Sequence, residues 1–333
     1  MNFDYDWLPM VFAAIMGLSI LLYVILDGYD LGVGMLMALA QKEEKDRMIA
    51  SIGPFWDANE TWLVFAVGIL LVAFPSSHGY VLTALYIPAT IMLIALILRG
   101  VSFDFRAKAR SSHKALWDSC FVIGSAVAAL TQGYMLGQYI MGFENNTETL
   151  VFSLLTAVAV AAGYALIGAC WLIMKTEGML QARAVRLARP LVWLTAAGIA
   201  LISLATPYVS ERIFERWVSQ PEVWYLVPIP VLTALSILAL HRLLKVMPLP
   251  DDRYYRRPFQ LTAMLFVLCF VGLAYSFYPY TVPGVMTLYD SAASRDSLLI
   301  MFYGAAFVLP VIAGYTVFAY RVFHGKARDL TYD

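Results

Sequence analysis

Long apolar runs alternate with short polar segments along this chain, and the apolar runs share one length. Nine of them, near 8–26, 56–74, 80–98, 117–141, 150–174, 190–209, 223–241, 259–279 and 298–321, carry few charges. Each has roughly the 18–25 residues a helix needs to cross a hydrocarbon core about 30 Å thick. Backbone groups inside a bilayer must pair within their own segment, so these runs predict α-helices. The first run continues as a helix through DLGVGMLMALA to about Ala40. That exceeds one bilayer crossing, so the helix tilts or protrudes at that end. The pattern predicts an all-α polytopic membrane protein of about nine transmembrane helices, with 1–333 as a single transmembrane domain. Two four-helix bundles plus one peripheral helix fit the count, although no internal repeat marks them.

Charge orients the chain. Segments 41–49, 99–114, 175–189, 241–258 and the tail hold all but three of the 23 Lys and Arg; Arg212, Arg216 and Arg295 fall on the other side, with Asp4, Asp6, Glu144, Glu148, Glu211 and Glu222. The positive-inside rule then puts the N-terminus in the periplasm and the C-terminus in the cytoplasm, which requires an odd number of spans. Composition agrees: 61% of residues are apolar and 14% charged, where a soluble domain has about a quarter charged. The acidic start MNFDYDWLPM runs directly into the first apolar stretch, as a retained helix does and a cleaved signal does not. Basic loops follow from topology here, so a nucleic-acid partner is excluded.

Two acidic, glycine-bearing motifs interrupt this pattern: ILDGYDLGVG at 25–34 and SIGPFWDANETWL at 51–63. Asp27 and Asp30 share a helical face, as do Asp57 and Glu60, and the topology puts all four at similar depth on the inner side. For Asp57 and Glu60 a structural reading is good, since acids in a first helical turn after Pro54 complement the helix dipole. For Asp27 and Asp30 it is weaker, because acids at a helix C-terminus oppose the dipole. They need a partner or a proton, and Arg99 is the nearest candidate by depth. A carboxylate in a membrane helix costs roughly 2.5–3.5 kcal/mol on insertion scales and marks ion or proton paths. Gly28, Gly32 and Gly34 allow close helix contact or local unwinding.

Other chemistries are missing. His78, His113, His241 and His324 lie in loops or at a helix end, none mid-span where a haem ligand is needed. Cys120, Cys170 and Cys269 are isolated, and metal-binding or phosphate-binding spacings are absent. Trp7, Trp217, Trp224, Tyr225 and Trp117 suit interfacial belts. Trp56 and Trp62 flank Asp57, as anchors or, for Trp56, as a flat wall for a quinone ring or a partner helix.

The runs ILDGYDLGVGMLM, GPFWDANETWLV and LRGVSFDFRAKAR, with FYPYTVPGVMTLYDSAAS at 277–294, resemble the subunit II family of cytochrome bd-type quinol oxidases. The resemblance is dense over the first 110 residues. It implies a nine-helix subunit of a bacterial cytoplasmic (inner) membrane, paired with a haem-bearing subunit I. That partner carries haems b and d, or b only, and the quinol site. No haem is ligated by the present chain. It implies proton uptake from the cytoplasm, with Asp57 at the subunit interface and Asp27 and Asp30 as the acidic pair of the first motif. Arg99 and Asp104 match residues near the same region; Trp56 and Arg99 match where a structural quinone rests in some members. A small single-helix accessory subunit is a further implied partner, beside membrane lipid. The compact region between helices 5 and 8 fits the cyanide-insensitive branch. The second motif departs from the family by placing an acid at Glu60. The rival expectation is a cation- or proton-coupled secondary transporter whose broken first helix holds a cation at Asp27 and Asp30. A third is a scaffold for another respiratory complex.

Overall fold

The computed structural model describes residues 7–108, 113–209 and 211–327. Asp4, Asp6, Arg110 and Arg328 lie outside these, as do the side chains of Glu211, Arg212, Arg216 and Glu222. Nine helices among the described residues are long and apolar enough to cross a membrane, and each coincides with one predicted run. They are α1 (Trp7–Leu36), α3 (Trp56–Ala73), α4 (Pro75–Lys108), α5 (Lys114–Ile140), α6 (Thr147–Lys175), α7 (Gly178–Val209), α10 (Pro228–Val246, prolonged by α9, Glu222–Leu226), α11 (Arg257–Phe277) and α13 (Arg295–Val322). As expected, α1 continues toward Ala40 through a 3-10 turn, Met37–Leu39.

Several segments expected as loops are helical. Segment 41–49 lies in α2 (Lys42–Ile52), whose start is held by reciprocal bonds between Gln41 and Glu44. α4 takes in most of 99–114 and α7 most of 175–189, because Ala, Leu and Arg in QARAVRLAR are strong helix formers whatever their polarity. At the other end, α8 (Glu211–Val218) occupies the outer loop. A hairpin of β1 (Tyr280–Val282) and β2 (Met286–Thr287) precedes α12 (Leu288–Ser291). Strands of two and three residues are too short to leave a periodic signature.

The expected division into two bundles and a peripheral helix is present. α1, α3, α4 and α5 pack together, α6, α7, α10 and α11 form the second group, and α13 lies against α3 and the edge of α1. The two groups meet where α1 and α5 cross α6. Small residues set that crossing: a Cβ on Gly32 would stand 1.8 Å from the Tyr164 carbonyl oxygen, and one on Gly168 2.5 Å from backbone of Gly32 and Val33. Without a hydrophobic force between helices in lipid, such close approach is how they gain packing energy. Tyr29 stacks on Trp171 beside the crossing, ring centroids 3.9 Å apart, and Phe55 and Phe259 meet the same indole edge-on. Trp62 is buried rather than an interfacial anchor, whereas Trp7, Trp224 and Tyr225 are exposed.

The basic segments gather at one end of the molecule and are tied together there. Arg106 bonds Asp118 and Asp46, Lys45 pairs with Asp118, Arg183 with Glu44, and Lys326 with Asp252. Burial works to raise the Asp46 carboxyl, but Arg106 and Lys114 outweigh it and hold it below the usual carboxylate range. For Asp252 burial is likewise outweighed, by Lys326 and Gln181.

Candidate functional site

At the basic end, α1, α3, α4 and α13 enclose a cluster of charged and hydrogen-bonding side chains. α1 runs unbroken through both of its acids, so the broken helix that the transporter reading requires is not formed. Asp27 and Asp30 have no solvent exposure, and Arg99 of α4 has 1%. Arg99 Nη1 donates to Asp27 Oδ1 at 2.7 Å and to Glu60 Oε1 at 3.0 Å, and Nη2 lies 3.8 Å from Asp30 Oδ2. The 3.6-residue turn explains the grouping: Asp27 and Asp30 are one turn apart on α1, and Glu60 stands on the face of α3 turned toward them.

Three carboxylates thus share one guanidinium. Fully ionised, the cluster carries two uncompensated negative charges in a membrane-buried site. Such charge is relieved by binding protons or by pairing. Asp27 Oδ2 and Asp30 Oδ1 have no hydrogen-bond partner among the described residues, so each acid keeps one oxygen available to a proton. Glu60, with 28% of its side chain exposed, is the part of the cluster that opens outward.

Asp57 and Asp104 stand apart. Asp57 is exposed in the first turn of α3, three residues from Glu60, and Asp104 is exposed on α4. Trp56 is half-buried against Phe103, ring centroids 5.1 Å apart, with its indole over Gly100. Arg99, sealed among the acids, has almost no surface to offer a quinone; Trp56 and Asp104 do.

Sequence reasoning missed a second layer. Asn59 Nδ2 donates to Asp30 Oδ2 at 2.7 Å and to the Tyr29 hydroxyl at 3.0 Å. Tyr320 of α13 donates to Asn59 Oδ1 at 3.2 Å and lies 2.5 Å from the Tyr29 hydroxyl. On the apolar side, Tyr164 donates to Gln132 at 2.8 Å, and Gln132 donates to Tyr23 at 2.7 Å, one turn from Asp27. Asn59 and Tyr29 sit inside the two motifs and were within reach. Tyr320 is 261 residues from Asn59, with no local sign of its role.

The histidines lie apart from this cluster. His113 and His324 are exposed, the latter against the Arg321 carbonyl; His78 is half-buried, and half-buried His241 packs against Trp193. They sit on separate elements, and no group of three or more His, Cys, Asp or Glu among the described residues is arranged to hold a metal ion.

The family model for cytochrome bd terminal oxidase subunit II matches residues 8–323. The chain is 26% identical to cytochrome bd-I ubiquinol oxidase subunit 2 of Escherichia coli strain K12, over 97% of this chain and 96% of that one. It is 26% identical to cytochrome bd ubiquinol oxidase subunit 2 of Bacillus subtilis strain 168, over 91% of this chain and 92% of that one. Its fold is similar to a chain in the structure of bd oxidase from Geobacillus thermodenitrificans, with a TM-score of 0.77 at 18% identity, covering 96% of this chain and 99% of that one.

Proposed function

The chain belongs to the cytochrome bd terminal oxidase subunit II family, and from that premise we propose that it is the non-haem subunit of a quinol:oxygen oxidoreductase. It is not catalytic alone. It pairs with a haem-bearing subunit I, which supplies the quinol site and haems b and d (or b only) that carry electrons to oxygen. The whole chain, 1–333, is one membrane domain in the bacterial cytoplasmic membrane, N-terminus periplasmic and C-terminus cytoplasmic. A small single-helix subunit completes the complex in some settings.

This chain's task is to bring protons from the cytoplasm. The supporting observation is the buried excess of carboxylate over guanidinium, whose most exposed member is Glu60. A proton entering at Glu60 exchanges with Asp27 and Asp30 around the fixed charge of Arg99. Asp57, one turn from Glu60 on an exposed face of α3, passes protons across to the partner. α13 lies on α3 and is largely uncovered, and Asp57 is exposed on α3; the partner subunit would cover both. Trp56, lying over Gly100 one helical turn from the exposed Asp104, offers the surface for a structural quinone. Reducing one oxygen to two waters takes four electrons and four protons. Drawing those protons from the cytoplasm while quinol releases its own outside builds a membrane potential without a pump.

Mild purification of the tagged chain from its native membrane, with a reduced-minus-oxidised visible spectrum and identification of co-purifying bands, tests this reading. Haem signals that accompany a second large membrane subunit and are lost when it is stripped away are expected. A colourless, partnerless protein from membranes that contain such haems would overturn it.

A further inference from the structure

Asp30 takes its shortest hydrogen bond from the Asn59 amide, 2.7 Å away. An amide can present either its NH2 or its oxygen, and the neighbours of Asn59 decide which. The single proton of Tyr320 goes to Asn59 Oδ1. In the 2.5 Å contact between the two tyrosines Tyr29 is therefore the donor, and Tyr29 in turn accepts from Asn59 Nδ2 at 3.0 Å. The three groups form a ring in which every donor points the same way round. Turning the amide over would break that ring and set an oxygen against the Asp30 carboxylate.

Tyr320 at Oδ1, together with the Leu26 carbonyl that also accepts from Nδ2 at 3.2 Å, orients the donor that Asp30 uses, and Tyr320 comes from the outermost helix. Within this chain only Leu298 and Ala319 of α13 are buried, and its own packing is concentrated in the first turns, where Leu298 and Phe302 meet the cluster around Leu8 and Phe12. Its basic end is held by the chain that follows. Lys175 Nζ donates to the carbonyls of Phe323 (2.5 Å) and Gly325 (3.0 Å), and the Ala327 amide donates to the Lys175 carbonyl (2.7 Å). Lys326 Nζ donates to the Thr176 carbonyl at 2.9 Å and pairs with Asp252 at 2.8 Å, while Gln181 donates to the same Asp252 at 2.6 Å. Lys175 thereby satisfies a carbonyl left over at the end of α13. It also lies over the Phe55 ring, 4.9 Å from its centroid, and Phe55 packs on Tyr320 at 4.6 Å. Clasp and tyrosine are parts of one rigid contact.

We propose that Tyr320 is a positioning residue for Asp30, and that residues 323–327, clasped by Lys175 and Thr176, hold it in place. The C-terminal tail then sets the geometry of the acid cluster from outside it. This rests on the reading of Asp30 as a member of the proton path. The charged and titratable groups facing Asp30 are Asp27 and Tyr29 on α1, Glu60 on α3, Arg99 on α4 and Tyr320 on α13.

The test compares the intact oxidase complex carrying Tyr320→Phe, Lys175→Met and the two together. Loss of one positioning hydrogen bond is expected to lower quinol-driven oxygen turnover about three- to tenfold, with quinol KM and haem content unchanged and the pH profile of turnover displaced. Lys175→Met should reproduce that displacement, and the double variant should be no worse than Tyr320→Phe alone, because both act through one contact. Lys326→Ala, which removes the outer half of the clasp, serves where Lys175→Met prevents assembly. Wild-type turnover and pH profile in Tyr320→Phe would overturn the proposal, and fully additive losses would overturn the link to the tail. Asp30→Asn is the control: if it too leaves turnover intact, the proton-path reading itself fails, whereas a damaged Asp30→Asn beside a normal Tyr320→Phe sinks only the present inference.

Discussion

α6 and α13 look alike by hydropathy: their spans have 29 and 28 residues, and an 18-residue stretch of each has a mean hydropathy of 2.3 and 2.1. Inside the fold they are opposites, with 56% of the most apolar stretch buried in α6 and 6% in α13. Hydropathy measures preference for lipid over water and cannot tell a lipid neighbour from a protein one. Small residues can. Gly168 of α6 meets Gly32 backbone to backbone, whereas added Cβ atoms on Gly304 and Gly314 of α13 would meet open space. α13 instead presents Ile300, Tyr303, Phe307 and Phe318 outward, while its Tyr320 reaches the interior hydrogen bonds at the basic end. The inner crossing is specified by packing and the outer helix by its termini.

The first way to break this contrast is to remove the charge on which the inner cluster closes. Arg99→Met leaves three carboxylates without their cation, and breaking a buried ion pair from one side costs about 3–5 kcal/mol. Loss of the complex from membranes, or a large drop in its detergent melting temperature, is the expected result. Next, Gly32→Ala places a methyl where a carbonyl oxygen stands 1.8 Å away. Overpacking of that kind costs roughly 1–3 kcal/mol, while Gly304→Ala on α13 should stay within about 0.5 kcal/mol. Thermal unfolding of the two variants side by side checks both halves of the contrast. Phe307→Ala sharpens it further: being 75% exposed, it should leave the melting of the isolated chain unchanged and weaken retention of subunit I in the assembled oxidase.

The smallest effect concerns the ties at the basic end. Asp46 and Asp252 both have folded-state carboxyls held below the ordinary range, by Arg106 and Lys114 and by Lys326 and Gln181, against the opposing effect of burial. Their stabilisation is therefore complete above the unfolded value of about 3.9 and is lost as pH falls through the lower folded values. The share of the melting temperature owed to these two ties should be flat between neutral pH and about 5, then fall on acidification. Because Asp46 is 57% exposed, solvent screening keeps its share at no more than about 1 kcal/mol. Asp46→Asn should shrink the acid-side loss and leave the neutral plateau nearly in place.

Much of this was legible in the sequence, for physical reasons. The length of an apolar run is dictated by bilayer thickness, so nine spans could be expected before any coordinate, whereas the four-plus-four-plus-one grouping fitted that count with no repeat to mark it. Acids within membrane helices are costly enough to announce themselves, and depth alone pointed to Arg99. What stayed hidden depends on distance in sequence or on rotation about an axis. Tyr320 belongs to the last span and reaches Asn59 only through folding. Asp57 carries the same type of side chain as Asp30, but a helical step of about 100° per residue turns it out to the surface and Asn59 in, with Glu60 at the boundary between the two faces. The helical reach of α4 and α7 past the membrane was masked because their basic residues read as loop.

The central claim is that Asp30 handles protons for oxygen reduction, and quinol-driven oxygen consumption by the purified complex carrying Asp30→Asn tests it most directly. With haem content and subunit ratio at wild-type values, the account predicts turnover at least about tenfold lower, because an amide cannot take up and release the proton. Wild-type turnover at full haem content would contradict it and leave the cluster with a purely structural role.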